Sequence, residues 1–163
     1  MASINIFDLT QDRFIDQLYE EVARRNLILK RIKKPKVTTL QTILIIDHEW
    51  NILKLLYSVL SKDYNLIIKN SPISAFQWIA SGKEPALIIC EYKFPHFTGG
   101  EFVQQLRNSG FHGSIPVIIL SDAEDLEHKI SLLPCDVSGT VSKPFNPVLL
   151  TSTIQKVLYE CTT

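Results

Sequence analysis

The chain has 163 residues, 45% of them hydrophobic, enough to bury one ordinary core with some chain left over. Its 17 basic and 17 acidic residues cancel, so no chain-wide field draws it to nucleic acid or to a membrane surface, and a nucleic-acid partner is not expected. Three widely spaced cysteines, Cys90, Cys135 and Cys161, without a CxxC argue against a disulfide framework or a zinc site and read as reduced thiols of a cytoplasmic protein. The N-terminus lacks a signal pattern, and no apolar run approaches the roughly 18 residues of a membrane span.

Residues 1–40 read as a unit of their own. From Asp8 or Thr10 onward, Ile15, Leu18, Val22, Leu29 and Ile32 fall near heptad spacing, interrupted by Arg25, and Glu20–Arg24 and Glu21–Arg25 form favourable i,i+4 pairs, so an amphipathic helix is predicted. Its apolar stripe needs cover, from the body of the protein, from a second copy in a homodimer, or from a partner. The run Lys30-Arg31-Ile32-Lys33-Lys34-Pro35-Lys36 follows. It reads as a solvated linker, with contact to phosphates as the sharper alternative, and Pro35 favours a helix end there.

Residues 41–160 alternate short β-branched runs with amphipathic segments. Strands are predicted at Thr42–Ile46, Asn65–Lys69, Ala86–Cys90, Ile115–Leu120 and Val137–Val141, several almost continuously apolar, as expected of a parallel sheet covered on both faces. The first helix, Glu49–Leu60, carries a stripe of Ile52, Leu53, Leu56, Val59 and Leu60. Ser71-Pro72 opens the second as cap and first helical residue, and Gly82 closes it. Gly100–Asn108, Asp122–Leu133 and Asn146–Tyr159 complete the set. Five βα units of this length predict an α/β fold: a flavodoxin-like, doubly wound (βα)5 parallel sheet over residues 41–160 with the N-terminal amphipathic helix appended.

Ligands of such a sheet sit at the carboxyl ends of its strands. Those ends carry Asp47, His48 and Glu49 after the first strand, Glu91 after the third, Ser121 after the fourth and Lys143-Pro144-Phe145 after the fifth. Singly each is weak, since an Asp there often caps a helix and a Lys is usually solvated. Together, carboxylates, a hydroxyl and a lysine at one edge suit a divalent cation and a phosphoryl group.

At these residues the chain resembles the receiver domains of two-component response regulators, across roughly residues 41–160. ILIIDHEWNIL is similar to the family's first strand with its acidic pair, and CEYKFPHFTGG to the phosphoacceptor strand with its DxxMPxxxG loop. VIILSD carries the Ser/Thr position, and VSKPF the lysine-proline-phenylalanine element. The resemblance implies that Glu91 stands at the phosphoacceptor position, that Asp47 and His48 stand at the acidic pair, and that Ser121, Thr140 and Lys143 are the switch equivalents. It further implies a Lys143–Glu91 pair and a cis peptide at Pro144.

Three departures bear on function. Glu91 replaces the phosphoacceptor aspartate, and its extra methylene moves the carboxylate off the in-line geometry. His48 replaces a carboxylate magnesium ligand, so Asp47 and Glu91 remain as weak metal ligands at best and no cofactor is expected. Thr140 stands in place of the switch aromatic and is too small to report by changing rotamer. Glu91 then admits three roles: mimic of the phosphorylated state, structural counter-ion of Lys143, or residual acceptor. His48 with Asp47, Glu49 and Glu91 could also hold a transition metal, against the plainer reading of a helix-entry histidine bonded to a neighbour.

No nucleophile–base arrangement with its own motif is present, so the chain reads as a non-enzyme. It stops soon after the fifth helix, and its expected output is contact with protein partners of a signalling pathway. The expectation is a stand-alone degenerate receiver working independently of phosphorylation. Its alternatives are a phosphoryl-accepting regulator using Glu91 and an oligomerising scaffold built on the N-terminal helix. The partner face is expected around Leu126, Ile130, Thr140 and Val148.

Overall fold

The computed structural model describes residues 39–110, 113–122 and 124–161. The predicted N-terminal helix and the basic run lie outside the described residues. Seven strands and five helices follow in order: β1 (Thr42–Ile46), α1 (Trp50–Leu60), β2 (Asn65–Lys69), α2 (Pro72–Ala80), β3 (Leu87–Glu91), β4 (Lys93–Phe94), β5 (Phe97–Thr98), α3 (Gly99–Asn108), β6 (Val117–Ser121), α4 (Leu126–Ser131), β7 (Gly139–Ser142) and α5 (Pro147–Glu160). Among the described residues no helix is long and apolar enough to cross a membrane.

Five strands pair in the order β2-β1-β3-β6-β7, every neighbour parallel. This is the flavodoxin-like, doubly wound order, with its reversal between β1 and β3. Alternation along the strands divides the core in two. Ile43, Ile45, Leu87, Ile89, Ile118 and Leu120 pack on one face with α1 and α5. Leu44, Ile46, Ile88, Cys90, Val117 and Ile119 pack on the other with α2 and α3. A leucine or isoleucine so buried stabilises the fold by about 1.5–3 kcal/mol, and burial on both faces explains why β3 and β6 read as unbroken apolar runs.

The predicted boundaries shift where backbone hydrogen bonding decides them. β6 starts two residues late because Pro116 has no N–H to give, although its carbonyl accepts from Ile88 at 3.0 Å. β3 runs one residue further, since the ladder continues to a Tyr92 N–H bond to the Leu120 carbonyl, and this carries Glu91 into the strand. α4 shrinks from the predicted Asp122–Leu133 to six residues, preceded by the acidic turn around Glu124 and Asp125 rather than by an apolar face. The two-residue strands β4 and β5 form an antiparallel hairpin that was not predicted. Ser71 caps α2 through Ser74 N–H and Asn146 caps α5 through Val148 N–H, each followed by proline at the first helical position.

Candidate functional site

Register brings the strand ends to one edge. Ile46 of β1 pairs with Cys90 of β3, Glu91 with Leu120 of β6, and Ser121 with Ser142 of β7. Asp47, Glu91, Ser121 and Lys143 therefore leave neighbouring strands at one level. Asp47 and Ser121 are fully buried and Glu91 is 3% exposed. The Lys143 side chain is 9% exposed, its ammonium held inside the fold.

That ammonium is the centre of the site. Lys143 Nζ donates to Asp47 Oδ2 at 2.8 Å, to Glu91 Oε2 in a short contact, and lies 3.4 Å from Glu49 Oε1. The remaining oxygens are also engaged: Asp47 Oδ1 accepts from Glu49 N–H at 2.8 Å, and Glu91 Oε1 from Lys93 N–H at 2.9 Å. Lys143 is fixed at its backbone too, donating its N–H to the Ser121 carbonyl at 2.7 Å, and the Lys143–Pro144 peptide is cis. Burial alone would lower the Lys143 pKa, but the hydrogen bonds that its ammonium donates to Asp47 and Glu91, and their negative charge, outweigh it and hold it above its usual value. Beneath the cluster, burial pushes the Cys90 thiol well up, with Glu91 and Asp47 adding to the shift.

Two sequence expectations change here. Glu49 is not the first residue of a helix: the Asp47 side chain binds its N–H in an Asx-type turn, α1 starts at Trp50, and Glu49 becomes an extended cap residue facing Lys143. His48 does not join the carboxylates. Its Nδ1 is 4.0 Å from Asp47 Oδ1, too far for a hydrogen bond, and its ring packs against Phe94 at a centroid distance of 5.9 Å. Successive side chains around the turn diverge, so the residue beside Asp47 leaves the cluster and the next one enters it.

Among the described residues, the acidic groups able to share a cation are thus Asp47, Glu49 and Glu91, whose ligand atoms lie within 4.8 Å of one another. Three oxygen donors are the chemistry magnesium prefers, and these residues would hold it, in competition with the ammonium already bonded among them. Thr140 lies inside β7 opposite Ile119, half-buried and two residues back from the cluster's level.

The loop after Glu91 is shaped by Gly99 and a cap. A Cβ on Gly99 would collide with the Glu91 carbonyl and reach 3.0 Å from Tyr92 Cα, so only glycine permits the close return of the chain, sealed by Gly99 N–H to the Tyr92 carbonyl at 2.6 Å. Thr98 and Glu101 form a reciprocal capping box that opens α3. The T-G-G-E spacing is the sequence signature of that box.

A family description, response regulator receiver domain, matches residues 43–155. The chain is 27% identical over 104 residues to the hybrid signal transduction histidine kinase D of Dictyostelium discoideum, covering 64% of this chain and 7% of that protein. To chemotaxis protein CheY1 of Helicobacter pylori it is 20% identical over 118 residues, covering 71% of this chain and 95% of the relative. Among solved structures, the signal receiver domain of an HD domain-containing protein from Pseudomonas fluorescens Pf-5 superposes with a TM-score of 0.69 at 25% identity, covering 77% of this chain and 92% of that one. Of two histidine kinases among its relatives the chain spans under a tenth, 7% and 8% of their lengths. Over residues 43–155, more than half of its length, the chain belongs to the response regulator receiver domain family, a module of two-component signalling.

Proposed function

We propose that this receiver works as a phosphorylation-independent interaction module, with no turnover of its own, and that its phosphoryl site is closed by an internal ion cluster. Receiver membership implies signalling proteins as the class of partner. One observation carries the reading: Lys143 Nζ is bonded to both Asp47 and Glu91, and both oxygens of Glu91 are in use. In this reading Glu91 occupies the phosphoacceptor position with a longer side chain, its carboxylate already satisfied by the lysine and the Lys93 amide. Whichever oxygen of so engaged a carboxylate attacks phosphorus must loosen the hydrogen bond it holds, in addition to the misalignment from its extra methylene. Asp47, Glu49 and Glu91 would be the ligands of any magnesium ion, whose binding is weakened by the ammonium it has to displace.

With Thr140 in place of a bulky aromatic, the partner surface is held in one standing state. The expected face needs revision. Leu126 is 4% exposed and Ile130 packs against the core, whereas Val148 is 76% exposed, with Leu149 beside it on α5 and Leu132 at the end of α4 also exposed. The docking residues of this reading are therefore Leu132, Val148 and Leu149. The test is intact mass after acyl-phosphate treatment, together with amide NMR spectra under beryllofluoride and magnesium. Both are expected to leave the protein unchanged, and a stoichiometric acid-labile mass gain at Glu91 would sink the proposal.

A further inference from the structure

Beside the ion cluster lies a cavity of about 360 Å³ that the closed phosphoryl site does not use. Its walls come from the start of α2 and from the β4–β5 hairpin: Pro72, Ile73, Phe76, Phe94, Pro95 and Phe97. Its polar groups are the His48 and His96 imidazoles, the Asn70 and Gln105 side-chain amides, and Ser71. Ser71 is occupied, exchanging hydrogen bonds with Ser74. Among the described residues, Asn70, His96 and Gln105 make no side-chain hydrogen bond, so three polar groups border an apolar hollow with capacity to spare.

We propose that this cavity binds one small, uncharged aromatic ligand. Size sets the first limit. Small-molecule pockets run from about 300 to 1,000 Å³, so this one is at the small end and takes a one- or two-ring molecule, while a helix about 10–12 Å across is too wide for it. Three phenylalanine rings favour a flat π-system, which can meet them edge-to-face or offset. The tilted Phe76–Phe102 pair, with centroids 4.6 Å apart, braces one wall from behind. Among the described residues no carboxylate, lysine or arginine lines the cavity, and the α2 N-terminus offers little to an anion because Pro72 lacks an N–H and Ser71 already binds the N–H of Ser74. The neighbouring cluster of three carboxylates and one ammonium carries a net charge of −2 and repels anions further. The amides and imidazoles then read a ring nitrogen or hydroxyl by hydrogen bonding.

The site goes beyond the interaction-module reading by giving the domain an input that needs no phosphoryl group. Phe94 directly follows Lys93, whose N–H holds Glu91, so an occupant presses on the segment that carries the cluster.

The test uses the full chain, labelled with nitrogen-15, and indole as probe, with indole-3-acetate, tryptamine and the tripeptide Gly-Trp-Gly as comparisons. Indole should give saturable amide shifts confined to residues 48, 70–76, 93–98 and 105, at least fivefold tighter than indole-3-acetate. Ile73→Trp, an exposed position whose larger ring fills the mouth, and Phe97→Ala, which removes a wall, should each weaken indole at least fivefold while the spectra stay dispersed. Non-saturating or scattered shifts, or affinity unchanged in both variants, would overturn the proposal. Tryptamine binding fivefold tighter than indole would overturn the uncharged class. A tenfold preference for the tripeptide would overturn the small-molecule assignment in favour of a partner's side chain. None of these outcomes depends on the acyl-phosphate result.

Discussion

Replacing Lys143 by methionine keeps most of the side chain's volume and removes its charge together with the N–H donors that bond Asp47 and Glu91. The consequence follows from the cluster's arithmetic: the net charge goes from −2 to −3, and Asp47 and Glu91, both buried, each lose their ammonium partner. Removing one member of a buried ion pair costs about 3–5 kcal/mol, because the charge left behind has no compensation. Glu49 is half exposed and lets water reach the cluster's rim, which places the expected loss near the lower end, about 3 kcal/mol. For a domain of this size that corresponds to a melting point lower by about 12 °C.

The same change frees three oxygen ligands for a cation, so magnesium should stabilise Lys143→Met and leave the parent almost unaffected. With a Kd of about 1 mM and 10 mM magnesium, the gain is about 1.4 kcal/mol. Urea unfolding of parent and variant, with and without magnesium, reads both effects through the midpoint at constant slope. A loss below 1 kcal/mol, or an equal magnesium gain in both proteins, would show that the lysine is not the counter-ion of this site.

Two more outcomes are expected. Gly99→Ala should cost about 1–3 kcal/mol in urea unfolding and shift the amide signals of residues 91–93, since its Cβ meets the Glu91 carbonyl; a neutral variant would mean that the loop yields freely. Stability should also fall on the alkaline side. Above the ordinary thiol value of about 8.5 the unfolded chain releases the Cys90 proton while the fold retains it, so the unfolded state binds fewer protons and stability declines as pH rises. Lys143 has a raised pKa, so its contribution is complete below about 10.4 and is lost as pH climbs through the folded value. Unfolding midpoints between pH 7 and 11 should show both, and Cys90→Ala should flatten only the first; an unchanged slope in that variant would remove the thiol from the account.

The sheet was legible because its central strands β1, β3 and β6 are almost continuously apolar and its helices are signed by Ser71-Pro72, by Asn146-Pro147 and by the Leu53, Leu56, Leu60 stripe. The clustering of Asp47, Glu91 and Lys143 was legible for a related reason: strand ends of a parallel sheet share one edge, and the family motifs fix which end each residue occupies. What the sequence concealed is directional. Whether His48 or Glu49 turns toward the lysine depends on one hydrogen bond from Glu49 N–H to Asp47, a local choice that residue type does not announce. The β4–β5 hairpin was hidden because two-residue strands leave no periodicity to read, and α4 was overdrawn because apolar residues near Leu133 belong to its flanks rather than to its turns.

The ion cluster also bears on how the molecule assembles. Lys143 meets Glu91 across 52 residues of chain and Asp47 across 96, and it is carried in by the last strand of the sheet. Until β7 docks beside β6, the carboxylates at the ends of β1 and β3 can be buried only at the expense of their own repulsion, so a partly built sheet gains little by closing that edge. The final βα unit thereby supplies the bond that makes closure favourable for the earlier ones. Completion of the sheet and neutralisation of its edge become one event, which couples elements far apart in sequence into a single all-or-none transition.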